Sequence, residues 1–222
     1  MWVLLTPLTH KTTHKKNFYN KSRLKIKLPK VLHTGFNILF TGNLGYAQSM
    51  ETIINGAIRL KGHKDIKIII VGEGSKLEWL KNEISKLELP NVYLLGSFKK
   101  DLMPHFMHTA SALLVTLSNK PIFSFTIPNK TQAYLASGKP IIGALNGEGA
   151  EVIKLSQAGF AIAAEDSVAL SKAIIRLYKM PIKARHEMGL RGRKYFKRHY
   201  DHDVLMDKLV YFCQKTIKRG YS

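Results

Sequence analysis

The feature that most limits how this chain can fold is a series of six short apolar runs. Each run is followed by a turn or by a segment with helical periodicity. The runs are FNILFTG, DIKIIIVG, NVYLLG, ALLVTLS, PIIGAL and GFAIAA, between residues 36 and 164. Their apolar residues do not alternate with polar ones, which is typical of strands buried on both faces of a parallel sheet. Strands that alternate with helices favour an α/β protein with helices on both sides of that sheet. We therefore predict a Rossmann-like, doubly wound parallel sheet of about six strands.

This alternation divides the chain into three predicted segments. Residues 1–35 are a basic segment and linker, because the first 30 residues contain eight Lys or Arg and no Asp or Glu. Residues 36–200 are expected to form the Rossmann-like domain, with helices after the last strand. Residues 201–222 are predicted to form a final helix. The apolar face of this helix, which we expect to pack inward, consists of Val204, Leu205, Leu209 and Phe212.

The charge of the chain limits its partners more than its fold. The sequence has 35 Lys and Arg against 15 Asp and Glu, a formal net charge of +20 at pH 7. Such an excess favours an anionic partner, such as a membrane surface, a nucleic acid or a phosphorylated small molecule. It fits equally well a lysine-rich surface that has no special partner. Nucleic acid is not the expected partner, because no nucleic-acid-binding motif accompanies the charge.

Other classes of site are excluded by the residues present. The single cysteine, Cys213, cannot form a disulfide within the chain. The sequence contains no run of 18 apolar residues, so no transmembrane helix is predicted. The N-terminus is apolar first and basic second, which is the reverse of a secretory signal. Neither HExxH nor an acidic pair at metal-ligand spacing occurs. We therefore predict no metal and no cofactor.

Loops that follow strands are the predicted place for a ligand, because open parallel sheets bind ligands beyond the carboxyl ends of their strands. Gly42 and Asn43 follow the first apolar run, and Gly72 and Gly74 follow the second. Glycines there let the backbone approach a ligand closely, next to the start of a helix. The same glycines are also explained as tight strand-to-helix turns, so these loops alone do not define a site.

The third loop, IPNK at residues 127–130, has a clearer chemical signal. Proline suits the first turn of a helix, so the amides of Asn129, Lys130 and Thr131 are expected to be unpaired at the positive end of a helix. Together with a mobile Lys130 ammonium, these amides would form an anion site suited to a diphosphate. The alternative is a solvated lysine at the start of a helix.

The fourth loop, LNGEGAE at residues 145–151, adds a carboxylate near the same edge. Glu148 stands between Gly147 and Gly149 and is expected to project into the cleft. A carboxylate beside a phosphate site would bind sugar or ribose hydroxyls rather than the phosphates themselves. Glu151, in the first turn of the next helix, is explained by the helix dipole alone.

These motifs, taken in order, resemble one known family. The stretches FTGNLGYAQSMETI, IIIVGEGSKLEWLK, NVYLLGSF, PIFSFTIPNKTQAYLASGKPIIGALNGEGAEVI and RLYKMPIKARHEMGLRGRKYF are similar to the C-terminal half of retaining family 4 glycosyltransferases. Within that family, the resemblance is to the subgroup that makes O-antigen or capsular polysaccharide. The resemblance covers about residues 36–213. It implies one half of a GT-B fold, whose second domain binds a nucleotide-sugar donor, usually a UDP-sugar.

The resemblance also implies roles for particular residues. The residues placed around the donor are Gly42 and Asn43 at the diphosphate, Gly96, Ser97 and Phe98 at the base, Asn129, Lys130 and Thr131 at the phosphates, and Gly147 and Glu148 at the sugar or ribose. It implies no metal, because positive side chains and helix amides offset the charge of the leaving diphosphate. No catalytic residue is assigned, since the two glutamates of the wider family correspond to Phe125 and Ala133, neither of which is acidic.

A whole enzyme of this family would also need an acceptor-binding domain. Residues 1–35 are therefore interpreted as the remnant and linker of that domain, and residues 201–222 as a helix that crosses back to it. Without that domain, the apolar face of this helix is expected to be exposed or repacked. The expected function is sugar transfer to a polysaccharide or lipid-linked acceptor, together with a separately encoded N-terminal GT-B domain. The expected place is the cytoplasm or the cytoplasmic face of the inner membrane. The alternatives are an inactive truncated remnant and a basic, non-enzymatic adaptor that binds membrane or nucleic acid.

Overall fold

The computed structural model describes residues 28–219, so most of the basic segment at residues 1–35 lies outside the described residues. Its centre is a sheet of six parallel strands in the order β3-β2-β1-β4-β5-β6. The strands are β1 (Phe36–Thr41), β2 (Ile66–Val71), β3 (Val92–Leu94), β4 (Ala112–Thr116), β5 (Ile141–Ala144) and β6 (Gly159–Ile162). The predicted α/β fold is confirmed, and each apolar run contains one strand.

Nine α-helices lie between or after these strands within residues 28–219. They are α1 (Met50–Arg59), α2 (Leu77–Lys86), α3 (Met103–Thr109), α4 (Pro121–Ser124), α5 (Asn129–Ser137), α6 (Glu148–Leu155), α7 (Ser167–Lys179), α8 (Ile182–His199) and α9 (His202–Arg219). Short 3₁₀ turns lie at Lys30–His33, Tyr46–Gln48 and Lys100–Leu102. The sequence analysis did not predict α4, because four residues are too few to show a helical period.

The two faces of the sheet carry separate hydrophobic cores. Successive side chains of a strand point to opposite faces, so Ile38 and Phe40 of β1 join one core and Leu39 joins the other. Leu170 of α7 packs in the first core and Leu135 of α5 in the second. All five side chains are fully buried. Helices on both faces follow from this pattern, as the unalternating apolar runs predicted.

The last helix begins at the predicted place, but its apolar face does not pack inward. Leu205, Leu209 and Phe212 were expected to face inward, yet they are 46%, 54% and 61% exposed. Of the four residues expected to face inward, only Val204 is half-buried. The physical reason is that other helices already cover both faces of the sheet, and neither core contains a residue of α9. None of the described helices is long and apolar enough to cross a membrane.

Candidate functional site

The loops after β1 and β2 interlock at the carboxyl edge of the sheet. The Leu44 amide donates a hydrogen bond to the Glu73 carbonyl at 2.8 Å, and the Lys76 amide donates to the Leu44 carbonyl at 2.8 Å. Gly72 has a φ of +153°, and a Cβ atom there would overlap the carbonyl oxygen of Gly42. Only glycine allows so close an approach of two backbones. The glycine turns at Gly42 and Gly72 therefore hold the two loops in direct contact at this edge.

The Lys130 ammonium lies directly beside the Gly42 turn. A Cβ atom built on Gly42 would stand 3.3 Å from Nζ of Lys130. The same Nζ donates a hydrogen bond to Oε1 of Gln48 at 2.8 Å and lies 4.0 Å from the centre of the Phe40 ring. No carboxylate of the described residues forms an ion pair with it. A cation without an acidic partner thus stands at the end of β1.

Burial changes the chemistry of this lysine. The loss of surrounding water lowers the pKa of Lys130 to about 7, because desolvation penalises the charged form. The ammonium contacts Gln48 and the Phe40 ring rather than solvent, and its expected mobility stays a prediction. An anion bound here would stabilise the protonated form and offset the cost of burying a charge. The site is therefore built to favour an anionic ligand.

The start of α5 offers fewer free amides than predicted. The Thr131 amide donates to the Pro128 carbonyl at 2.8 Å, so the prediction that it is unpaired is wrong. The cause is a tight turn at the proline, which satisfies one of the open donors of the first helical turn. The backbone amides of Asn129 and Lys130 donate no such bond in the described structure. The helix start thus presents two amides next to the Lys130 ammonium.

Tyr134 fixes α5 against the end of β1. Its hydroxyl accepts a hydrogen bond from the Thr41 amide at 3.1 Å and lies 3.0 Å from Oγ1 of Thr41. Burial raises the pKa of Tyr134 to about 12. Because Tyr134 stands one helical turn after Lys130, these bonds set the distance between Lys130 and the Gly42 turn.

The loop predicted to lie near a nucleotide base joins the same edge. Gly96, with a φ of +75°, follows β3, and its carbonyl accepts a hydrogen bond from the Gly72 amide at 2.8 Å. Ser97 is exposed. The Phe98 ring is partly buried, with its centre 4.7 Å from that of Phe106. The structure therefore brings this loop against the Gly42 and Gly72 turns. The role of the loop at a nucleotide base stays a prediction.

Gly147 and Glu148 come together with the corner between α4 and α5. Gly147 has a φ of +67°, and a Cβ atom there would overlap the carbonyl of Ser124. A Cβ atom on Gly149 would stand 3.1 Å from Cδ of Pro128. Glu148 is the first residue of α6, and its side chain is exposed. A carboxylate accessible to a ligand thus lies near the start of α5.

The sequence analysis missed a polar cluster at this edge. Nδ2 of Asn146 donates to Oδ1 of Asn119 at 2.9 Å, and Oδ1 of Asn146 accepts from the Ala164 amide at 3.1 Å. The Asn119 amide donates to Oε1 of Glu165 at 3.0 Å. These bonds tie together the loops after β4, β5 and β6. The available signal was position alone, since each polar residue directly follows an apolar run.

Among residues 28–219, no group of three or more His, Cys, Asp or Glu side chains could hold a metal ion. Cys213, which lies on α9, is exposed. The expected independence from metals remains a prediction about the reaction.

The strand order and the glycine turns at the carboxyl edge define a Rossmann-like domain. Residues 35–180 match the family model described as Glycosyl transferases group 1. The chain therefore belongs to that family. A comparison with curated proteins gave no match.

Solved structures show the same fold. HepE from Anabaena, in complex with UDP, has a TM-score of 0.73 and 15% identity over 83% of this chain and 50% of its own. The pneumococcal O-GlcNAc transferase GtfA, in complex with UDP and GlcNAc, has a TM-score of 0.64 and 17% identity over 84% and 36%. The C-terminal domain of LpcC from Francisella tularensis, a glycosyl transferase group 1 family protein, has a TM-score of 0.63 and 16% identity over 76% and 88%. The chain spans about half the length of HepE. The predicted fold, one half of a GT-B fold, is confirmed.

Proposed function

We propose that this chain binds a nucleotide-sugar donor, specifically a UDP-sugar, at the carboxyl edge of its sheet. The observation that carries this proposal is the buried Lys130 ammonium, which lies beside the Gly42 turn with no acidic partner among the described residues. Membership of the Glycosyl transferases group 1 family supports it. Further support comes from HepE and GtfA, whose structures contain UDP.

In this proposal the diphosphate lies between the Gly42–Asn43 turn and the first turn of α5. Nζ of Lys130 turns from Gln48 to a phosphate oxygen, and the Asn129 and Lys130 amides donate to the same group. These positive groups stabilise the charge that develops on the diphosphate as the sugar leaves, without a metal. The exposed Glu148 accepts hydrogen bonds from hydroxyls of the sugar or ribose.

The finer part of the proposal is the kind of transfer. We place the chain among the retaining family 4 enzymes that make O-antigen or capsular polysaccharide, with a polysaccharide or lipid-linked acceptor. The support is the ordered set of stretches from FTGNLG to GRKYF, which the structure arranges around one edge of the sheet and the helices that follow it.

Transfer also requires a separate acceptor-binding domain, proposed to be an N-terminal GT-B domain that faces this edge. Large side chains stand exposed beside the site: Tyr46 is 71%, Ile122 64% and Phe125 79% exposed. Exposed apolar groups gathered beside a cleft favour a protein interface. Such an enzyme would work in the cytoplasm or on the cytoplasmic face of the inner membrane.

The first test is a calorimetric titration of the whole chain with UDP, with ADP and GDP as nucleotide controls. We expect selective binding of UDP, which Lys130→Ala weakens roughly tenfold or more because it removes a charge-assisted hydrogen bond. Lys172→Ala is the matched control, since Lys172 is exposed on α7. An unchanged affinity for UDP in folded Lys130→Ala protein would remove the proposed anion site.

Glu148 has its own test. Glu148→Gln should weaken binding of a UDP-sugar more than binding of UDP, because the carboxylate is assigned to the sugar. Equal losses for the two ligands would assign it to the ribose or to the structure of the loop.

A second function, nucleotide binding without sugar transfer, is favoured by one observation. Phe125 and Ala133, at the positions of the wider family's glutamates, are both exposed and offer no carboxylate. Release of UDP from a UDP-sugar by the folded chain, mixed with an N-terminal GT-B domain and its acceptor, separates the two functions. Turnover supports the transferase, and binding without turnover supports the second function.

A further inference from the structure

A second cavity lies at the opposite, amino-terminal edge of the sheet. It is formed by the end of α3, the residues that precede β4 and β5, and α8 between Ile182 and Arg193. Its volume is about 630 Å³. The elements that form it separate it from the proposed donor site, which lies beyond the other ends of the same strands.

The charged side chains around this cavity are all of one sign. Lys139, Arg185 and Arg193 line it, together with two histidines, His108 and His186. No Asp or Glu of the described residues is among the side chains that line it. None of Lys139, Arg185 and Arg193 forms an ion pair within residues 28–219. The cavity therefore concentrates positive charge that the described structure does not neutralise.

Two of these cations are partly withdrawn from water. Desolvation lowers the pKa of Lys139 and that of Arg185. The Arg185 guanidinium carbon lies 4.9 Å from the centre of the Phe36 ring, so that side chain is held over an aromatic face. Partial burial of unpaired cations costs free energy, and a bound anion offsets that cost.

The backbone around Lys139 is preorganised. Its amide donates to Oγ of Ser137 at 3.2 Å, and the Ser137 hydroxyl donates to the Tyr134 carbonyl at 2.6 Å. Nζ of Lys139 donates to the His108 carbonyl at 2.6 Å, which leaves two of its three donor positions for a ligand. A Cβ atom on Gly189 would overlap the Gly138 carbonyl, so α8 is packed directly on this turn. The cavity is thus a built feature of the fold.

We propose that this cavity is a second anion site, which binds a phosphate-bearing ligand. The phosphate lies among Lys139, Arg185 and Arg193, whose donors suit phosphate oxygens and, for the arginines, pair with two oxygens at once. Ile182 and Leu190, 77% and 46% exposed, lie at the same cavity and would contact an apolar part of the ligand. The phosphate could belong to a lipid headgroup or to a soluble molecule.

The test uses the whole chain with Lys130→Gln in every sample. This substitution removes the cation of the proposed donor site and so reduces phosphate binding there. Inorganic pyrophosphate is titrated by calorimetry as the soluble probe. Vesicles of phosphatidylcholine, with and without phosphatidic acid, are the lipid probe, and bound protein is measured by co-sedimentation. Arg193→Gln and Lys139→Gln, the pocket variants, each remove one cation from the cavity. Lys172→Gln is the control, because it removes one positive charge from an exposed position on α7. Circular dichroism shows which variants are folded.

We expect the pocket variants to weaken binding roughly tenfold, the loss typical of one charge-assisted hydrogen bond, and Lys172→Gln to have little effect. This pattern with pyrophosphate identifies a soluble ligand, and the same pattern with phosphatidic acid vesicles identifies a lipid headgroup. Neither result depends on the UDP titration. The inference is overturned if neither probe binds, or if the folded pocket variants bind both probes as tightly as Lys172→Gln does.

Discussion

If Lys130 binds the donor diphosphate as proposed, its depressed pKa should make donor binding depend on pH. In the ligand-free protein this lysine has a pKa of about 7, because burial penalises its charge. A diphosphate beside Nζ favours the charged form and raises the pKa in the complex. UDP binding above pH 7 should therefore take up a proton, and the affinity for UDP should fall as the pH rises.

The size of the proton uptake and of the change in affinity follows from the depressed pKa of Lys130. With a pKa of about 7, roughly nine in ten Lys130 side chains are neutral at pH 8 in the free protein. If only the charged form binds, UDP affinity should fall about fivefold between pH 7 and pH 8, and proton uptake at pH 8 should approach ~0.9 per UDP. Over this range the side chain of an unperturbed lysine, with a pKa near 10.4, would produce neither effect.

The assay is calorimetry at pH 8 in two buffers with different ionisation enthalpies, because the difference in measured heat gives the number of protons taken up. Affinities measured at pH 7 and pH 8 give the second quantity. Lys130→Arg is the informative variant, since a guanidinium stays protonated and should make the affinity independent of pH over this range. Lys172→Gln is the matched control and should behave as the unmodified chain does.

One result would refute the reasoning. If the chain binds UDP at pH 8 with no proton uptake, and with the same affinity as at pH 7, then Lys130 is either already charged in the free protein or remote from the diphosphate. Lys130→Ala separates these cases, because removal of a charged lysine that contacts the diphosphate weakens UDP binding and removal of a remote lysine does not.

Three further predictions concern stability, each measured by urea unfolding. Lys130→Met should raise the free energy of unfolding at pH 7 by roughly 1–4 kcal/mol, because an apolar side chain replaces a buried ammonium; between pH 7 and 10 the unfolded chain binds more protons, so the unmodified protein gains stability as the pH rises and the advantage of Lys130→Met shrinks. Gly72→Ala should cost about 3 kcal/mol or more, because its Cβ would overlap the Gly42 carbonyl, whereas Gly62→Ala, with open space around it, should change stability little. Asp166→Ala should cost about 1 kcal/mol, because Oδ1 of Asp166 caps the start of α7; no loss would show that this cap does not contribute.

The fold was predictable because its signals are local. The six apolar runs fix the strands, and the helical segments between them require both faces of the sheet to be covered. The packing of α9 was not predictable in the same way. Its apolar stripe gives the helix but not the surface that covers it, and both faces of the sheet are already occupied.

The positions of the residues of the candidate site were predictable from the sequence, but their contacts were not. IPNK gave the start of α5 and the position of Lys130, because proline at a helix start is a local signal. The partner of Lys130, Gln48, lies 82 residues away in sequence, and no local pattern connects the two. The depressed pKa follows from that burial, so it was also beyond the reach of the sequence. The Thr131 amide was mispredicted because a hydrogen bond inside the proline turn satisfies it.

The two outermost strands of the sheet affect how readily the protein could aggregate. Its outer strands are β3, with three residues, and β6, with four, while the six-residue β1 and β2 lie inside. An exposed strand edge is a template on which another chain can add a strand, and the risk grows with the length of the edge. The short outer strands leave only a few backbone groups open to such pairing, so the sheet offers little template for a strand of a neighbouring molecule even though its interior strands are strongly apolar.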